Sequence, residues 1–418
     1  MRELISKIRV WGLAGIFGFL RRKYAFFVQR RRLARLVRHS ATTVPQRGIT
    51  VVGDLTGRVS LSKALRDFIL CLKDAGIPFQ TYDTLLKPQI PESDVKGIVT
   101  PIAEFDPLRY THVVMMYRCP LEKEWLPKQV FARIAFHESE HGIHDTAPFL
   151  KESGDTIIGM SDFNYNYYKQ AFPGQPVYKI LYPFRPKLTV APPSEDLRNR
   201  LGIAKDDFVV FFNFDFGSYY RKNITAALKA FALAFRGDKK AKLVFKTKGA
   251  DANRHQVAEM MALVGELGIG EQFVHIPQYL SRADLDGLTT ACDVYLSLHR
   301  AEGFGLGMAE AMSQGKPVVA TNWSANTEFC RPDTAWCIPY RIVPVLPHEY
   351  MVATKEWAEA DVETAATALQ EVRSNPELVA ERTAKGKQFM EEHFAIANFK
   401  KSVDAFLDGR LGICQEEF

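Results

Sequence analysis

Twice along this chain short apolar runs alternate with helix-length segments, and a proline-rich stretch separates the two series. In the first series, Gly48-Ile49-Thr50-Val51-Val52-Gly53-Asp54 has the continuous apolar character of a strand buried on both faces. Ser60 is placed to cap a helix over Leu61–Ala75, with Gly76 as its stop. Further runs at Phe79–Tyr82, His112–Tyr117, Arg133–Phe136, Thr156–Met160 and Val177–Ile180 read as strands. Tyr182-Pro183-Phe184-Arg185-Pro186-Lys187, with Pro192 and Pro193 after it, cannot form a regular element and reads as a linker. The pattern then restarts, with strands expected at Phe208–Asn213, Leu243–Lys246, Phe273–Ile276, Val294–Leu298 and Pro317–Ala320. A helix is expected over Asn223–Phe235, and Ser281–Asp284 resembles a capping box for another. Apolar strands alternating with helices imply parallel sheets covered on both faces, so the class is α/β with two tandem domains and a cleft between them. The expected divisions are an extension over 1–47, domains over 48–186 and 187–385, and terminal helices over 386–418. The amphipathic segment Pro376–Leu407 is long enough to reach back toward the first domain.

Composition narrows the class further. With 418 residues, 47% hydrophobic and 24% charged, the chain can build real cores, which excludes disordered, collagenous and low-complexity proteins. A bilayer-spanning helix needs about 20 mostly apolar residues, and the longest candidate, Val10–Leu20, has eleven. Arg21-Arg22-Lys23 follows it where a signal peptide would have a small-residue cleavage site. The net charge of +6 divides unevenly: residues 1–47 carry +11 and the remainder −5. Trp11, Phe17, Phe19, Tyr24, Phe26 and Phe27 interleave with those cations, a mixture suited to an anionic membrane surface more than to nucleic acid. The alternative is a helical extension packed on the body. Six cysteines without a CxxC pair fit a reducing compartment. The expected location is the cytoplasm, peripherally at the inner membrane.

The most informative stretch is Leu298-His299-Arg300-Ala301-Glu302-Gly303-Phe304-Gly305-Leu306-Gly307-Met308-Ala309-Glu310. It places a three-glycine loop between a strand and a helix, at the strand end where parallel-sheet ligands sit. Glycines let backbone N–H groups approach a ligand, and a helix N-terminus favours anions. Glu302 and Glu310 would repel a phosphate but suit hydroxyls, which sugars and riboses supply.

Those residues form an E-x7-E pattern. Together with the sequence through Phe329, it resembles family 4 of the retaining glycosyltransferases ("glycosyl transferases group 1"), which have the GT-B fold of two Rossmann-like domains. Phe214-Asp215-Phe216-Gly217-Ser218-Tyr219-Tyr220-Arg221-Lys222-Asn223 resembles a segment of a bacterial branch that builds surface polysaccharide. Leu243–Thr247, Leu280–Leu285 and Phe136–His141 also fit that branch, and the likeness spans roughly 48–405.

The resemblance implies a transfer of sugar, with retention and without a metal or other cofactor, from a nucleotide-sugar to a glycan or lipid-linked acceptor, as in lipopolysaccharide or capsule synthesis. It implies that Glu310 holds ribose hydroxyls and Glu302 the transferred sugar, while the backbone of Gly303, Phe304, Gly305 and Leu306 meets sugar and distal phosphate. Lys222 matches the family lysine on the pyrophosphate. Phe216 stands where the family usually has an arginine, so Arg221 or Lys246 would supply the missing charge. Leu280 would meet the base, and Gly53 would lie near the phosphate across the cleft. His137 and Glu138 would edge the cleft from the first domain, Glu138 as a catalytic candidate and His137 toward the acceptor.

Two other readings exist. His137-Glu138-Ser139-Glu140-His141 satisfies the zinc-hydrolase H-E-x-x-H and His144 follows, but the motif comes directly after a strand, Gly142 comes next, and no H-x-x-G-x-x-H extension exists. The other is a GT-B binding subunit without catalysis, for which Phe216 leaves room.

Overall fold

The computed structural model describes residues 20–410, except 22, 41, 43, 58–59, 117–120, 137–149, 151–152, 154, 186–197, 200, 279, 281, 347–348 and 350–355. Six strands make the first sheet: β1 (Gln46–Gly53), β2 (Phe79–Asp83), β3 (Tyr110–Met116), β4 (Val130–Ala135), β5 (Thr156–Gly159) and β6 (Val177–Lys179). Their order is β2-β1-β3-β4-β5-β6, and every pairing is parallel. The second sheet contains β7 (Phe208–Asp215), β8 (Ala241–Lys248), β9 (Phe273–Ile276), β10 (Val294–Ser297), β11 (Val318–Thr321) and β12 (Trp336–Ile338). It is also wholly parallel, in the order β12-β11-β10-β7-β8-β9. An antiparallel hairpin, β13 (Tyr340–Pro344) and β14 (Glu356–Ala360), stands apart. The alternation expected from sequence is therefore an α/β fold of two parallel sheets.

The helices lie where amphipathic or wholly apolar patterns demand cover. Helix Ser60–Asp74 turns Ala64, Leu65, Phe68, Ile69 and Leu72 inward. Helix Ile224–Phe235 is apolar almost all round and mostly buried, with helix Val362–Ser374 packed beside it, while Lys229 and Leu233 face solvent.

The segment Pro376–Leu407 is two helices, Pro376–His393 and Ile396–Leu407, broken at Phe394–Ala395. No glycine or proline marks the break. Phe394 leaves the helix to bury itself against Phe184 and Phe304. The second helix then packs on the first lobe, where Phe399 meets Phe68 and Phe406 meets His112 and Tyr178.

In the extension, residues 23–38 are helical and divide by function. Leu33 is fully buried against Val52, Tyr82, Phe105 and Val113, with Leu36 and Val37 beside it. Gln29 accepts a hydrogen bond from the Tyr82 hydroxyl at 2.5 Å and donates to the Thr84 carbonyl. Leu20, Tyr24 and Phe27 are about half or more exposed (51%, 65% and 48%). Residues 1–19 of the extension lie outside the described residues. Among those described, no helix is long and apolar enough to cross a membrane, and Cys71, Cys292, Cys330 and Cys337 are free.

Candidate functional site

The second sheet reverses direction of growth between β7 and β10, and ligands of open parallel sheets lie beyond the strand carboxyl ends at such a point. Two segments leave the sheet there. After β7, Asp215 accepts from Gly217 N at 2.9 Å, and Lys222 N donates to the Ser218 carbonyl at 2.8 Å, which makes a tight turn. Asn223 ends the turn in a left-handed conformation (φ 54°), which asparagine tolerates, and caps the helix by accepting from Ala226 N. After β10, the loop 300–305 enters helix Leu306–Ser313. Gly305 opens that helix at φ 93°, where a Cβ would be strained and would press on Met308 and Asn326.

The segments meet at Glu302. Its carboxylate pairs with Lys222 and lies 3.4 Å from Arg221 Nη1. Arg221 also donates to the Ala301 carbonyl at 2.8 Å and to Ser218 Oγ at 3.3 Å, tying the two loops together. Glu302 is only 7% exposed. Burial pushes its carboxyl up, but Lys222 and then Arg221 more than offset this and hold it at about 2. Glu302 is therefore a buried acceptor that is charged at neutral pH.

Glu302 N donates to Ser324 Oγ at 2.8 Å. Ser324 has φ 69° and ψ −157°, a region ordinarily left to glycine, so this contact is held at the expense of backbone strain. Beneath it, His299 is fully buried, and burial lowers its pKa and keeps the ring neutral. Its Nε2 lies 3.0 Å from Asn326 Oδ1, while Nδ1 lies 3.1 Å from Ser297 Oγ. Arg300 is braced by Glu359 at 2.7 Å and Glu349 at 3.1 Å over the Trp357 ring.

Glu310 is half-buried on helix Leu306–Ser313. Burial raises the Tyr295 phenol well above its ordinary value, and the charges of Glu302 and Glu310 add to that, so both carboxylates act on one buried ring. The Phe304 side chain is core: it stacks on Tyr182 at 3.7 Å between centroids, within a cluster that includes Phe329 and Phe394. Gly303 and Leu306 beside it are only partly buried. Lys246, two residues before the end of β8, donates to the Thr247 carbonyl at 2.7 Å, and burial lowers its pKa.

Leu280 is half-buried against the core. A Cβ on Gly53 would lie 2.5 Å from Leu65 Cδ1, which gives this glycine a packing reason of its own. Phe216 is buried against Phe214, Tyr219 and His275, so no cation occupies that place. His137 and Glu138 lie outside the described residues, as does the rest of the H-E-x-x-H. Among the described residues no three His, Cys, Asp or Glu side chains gather as a metal site. A cavity of about 890 Å³ between Lys229, Leu233 and Tyr340 is not lined by the glycine loop. The convergent charges mark the site better than cavity size does.

Residues 193–341, which cover most of the second lobe, match the family model "Glycosyl transferases group 1". No curated protein matches the chain by sequence. Among solved structures, HepE from Anabaena in complex with UDP and glucose superposes with a TM-score of 0.58 at 16% identity, over 87% of this chain and 100% of that one. Sucrose-phosphate synthase from Thermosynechococcus elongatus gives 0.61 at 16% identity, over 87% and 99%. A TarM variant from S. aureus, in complex with Fondaparinux, alpha-GlcNAc-glycerol and UDP, gives 0.53 at 13% identity over 71% of this chain. This chain spans 55% of TarM's length. The shared feature is the architecture, and the chain has the GT-B fold.

Proposed function

We propose that the protein is a glycosyltransferase that moves a sugar from a nucleotide-sugar to a glycan or lipid-linked acceptor, with retention at the anomeric carbon. The observation that carries this reading is the Lys222–Glu302 pair beside a glycine-started helix at the reversal point of the second sheet. The group 1 match over residues 193–341 and the UDP held by HepE support it.

In this reading Glu310 accepts from ribose hydroxyls, Glu302 from hydroxyls of the transferred sugar, and Leu280 lies against the base. As the anomeric bond breaks, its electron pair goes to the nucleotide diphosphate and the sugar ring becomes cationic. Lys222, the N–H groups of Gly303–Leu306 and the positive helix end meet the growing negative charge without rearranging. A departing phosphate oxygen takes the acceptor proton. Arg221 contributes by orienting Glu302, and Lys246 is left as the second cation toward the phosphates. Glu138 and His137 are assigned to the acceptor, and no metal or cofactor is required.

Purified protein assayed against UDP-, GDP- and other nucleotide-sugars should hydrolyse or transfer from one base class. Lys222→Ala should lower turnover by roughly 10²–10³, the usual effect of removing one preorganised donor. Because Phe216 fills the place of the family arginine with core, a binding subunit without catalysis is the second reading. Nucleotide-sugar binding without transfer or hydrolysis would establish that reading.

The exposed Leu20, Tyr24 and Phe27, on a helix carrying Arg21, Lys23, Arg31, Arg32 and Arg35, support attachment to an anionic inner-membrane leaflet. In surface polysaccharide synthesis such attachment would bring the enzyme to a lipid-linked acceptor.

A further inference from the structure

Three parts of the chain meet around one buried carboxylate. Glu328 lies in the short turn Ala325–Glu328 of the second lobe, and its side chain is 3% exposed. One oxygen, Oε2, accepts from Asp162 N at 3.1 Å, at the start of the first-lobe helix Asp162–Ala171. The other, Oε1, lies 3.4 Å from Lys179 Nζ at the end of β6 and 3.0 Å from His393 Nε2 at the end of helix Pro376–His393. Lys179 and His393 are themselves buried, and Lys179 also pairs with Asp162 at 2.9 Å. This one carboxylate thus holds the first lobe, the second lobe and the end of the second-lobe helix from which the chain crosses to the first.

The same turn reaches the candidate site from its other end. Ser324 Oγ accepts from Glu302 N, Asn326 Oδ1 contacts His299, and Asn326 Nδ2 donates to the Thr321 carbonyl. The backbone strain at Ser324 falls between Glu302 and Glu328. Beside it, Asn164 of the first-lobe helix donates to the Gly303 carbonyl at 3.4 Å, and Phe163 packs on Trp323. Ion pairs this buried add little net stability over an apolar replacement, which leaves specificity of arrangement as the better reason for the charge.

We propose that Glu328 is a positioning residue that couples the placement of the first lobe and crossover helix to the orientation of Glu302 through the strained turn 324–328. The kinetic part rests on the glycosyltransferase reading, whereas the coupling of the lobes does not. Most of the proposed nucleotide-sugar contacts (Lys222, Glu310 and the 303–306 backbone) come from the second lobe and only Gly53 from the first, so loosening this tie should largely spare binding and impair turnover, which needs the first lobe in place.

The test is Glu328→Gln in the full chain, which keeps shape but removes the charge facing Lys179 and His393. Donor affinity by calorimetry should change by less than about threefold, while kcat falls by about tenfold or more, within the range of known positioning effects. The radius of gyration from X-ray scattering should rise. If Glu328→Gln fails to fold with Lys179 deprived of this partner, Lys179→Gln/Glu328→Gln carries the same measurements. Unchanged kcat and unchanged scattering in a folded variant would overturn the proposal. So would losses of affinity and turnover that are equal. Should the wild type act on no nucleotide-sugar, the functional reading fails, and scattering alone judges the coupling: a larger radius supports it and an equal radius overturns it.

Discussion

Glu302 keeps its charge in a buried place because Lys222 and Arg221 face it, and this has a measurable sign. Its folded pKa of about 2 lies below the ordinary 4.5, so the stability it contributes is full above about 4.5 and is lost as pH falls toward 2. Urea unfolding should therefore show a wild-type advantage over Glu302→Gln that shrinks once pH drops below about 4.5. Gly305→Ala forces a side-chained residue into a left-handed conformation and should cost about 1–3 kcal/mol in the same measurement. The glycines and Glu302 could be singled out from the sequence because they follow a strand end closely, while Glu310 and Lys222 were assigned roles by the family resemblance. Ser324, Asn164 and Glu328 were not. Their partners lie far away in sequence, and no local pattern announces a contact made only by folding. Phe304 was legible as part of the loop but not as core, since nothing local reveals that Tyr182 stacks on it.

Among the elements, most strands and the helices Ser60–Asp74 and Ile224–Phe235 were read within a few residues, since buried sheets impose continuous apolar runs, whereas the helices Asp162–Ala171, Arg254–Glu266 and Val362–Ser374 were not read. The three-residue β12 and the hairpin β13–β14 went unread, because β12 is too short to show a period and the hairpin pairs an exposed strand with a largely buried one. The break at Phe394–Ala395 was unread too, being imposed by burial of Phe394 and not by a helix-breaking residue. The helix over 23–38 answers as two halves. Leu33→Ala should destabilise the fold by about 2–5 kcal/mol, since Leu33 is fully buried. Tyr24→Ser/Phe27→Ser should leave the melting temperature unchanged and reduce sedimentation with anionic vesicles. Equal sedimentation of that variant and wild type would reject the membrane role. The double substitution is cleaner than deletion of residues 1–47, which would expose the apolar surface that Leu33 covers.

For the whole molecule, the crossing helices hold the first lobe through Phe399, Phe406 and His112. Burial, and then the Arg47 charge, lowers the His112 pKa to about 4. Between pH 6.5 and about 4 the unfolded chain binds a proton there that the folded chain does not, so stability falls as pH falls through that window. His112→Gln should flatten the fall, read as urea midpoint against pH. The two-sheet architecture was legible because the alternation restarts after a proline-rich linker. How the lobes meet was not, because those contacts join residues more than a hundred positions apart. The account turns on a nucleotide-sugar held at the mouth of the second sheet, and calorimetric titration of UDP-, GDP- and other nucleotide-sugars measures that directly. One base class should bind, and Glu310→Ala should weaken it by roughly 10- to 100-fold, the loss of charged hydrogen bonds to ribose. No binding by any nucleotide-sugar, or a Glu310→Ala variant that binds as tightly as wild type, would contradict it.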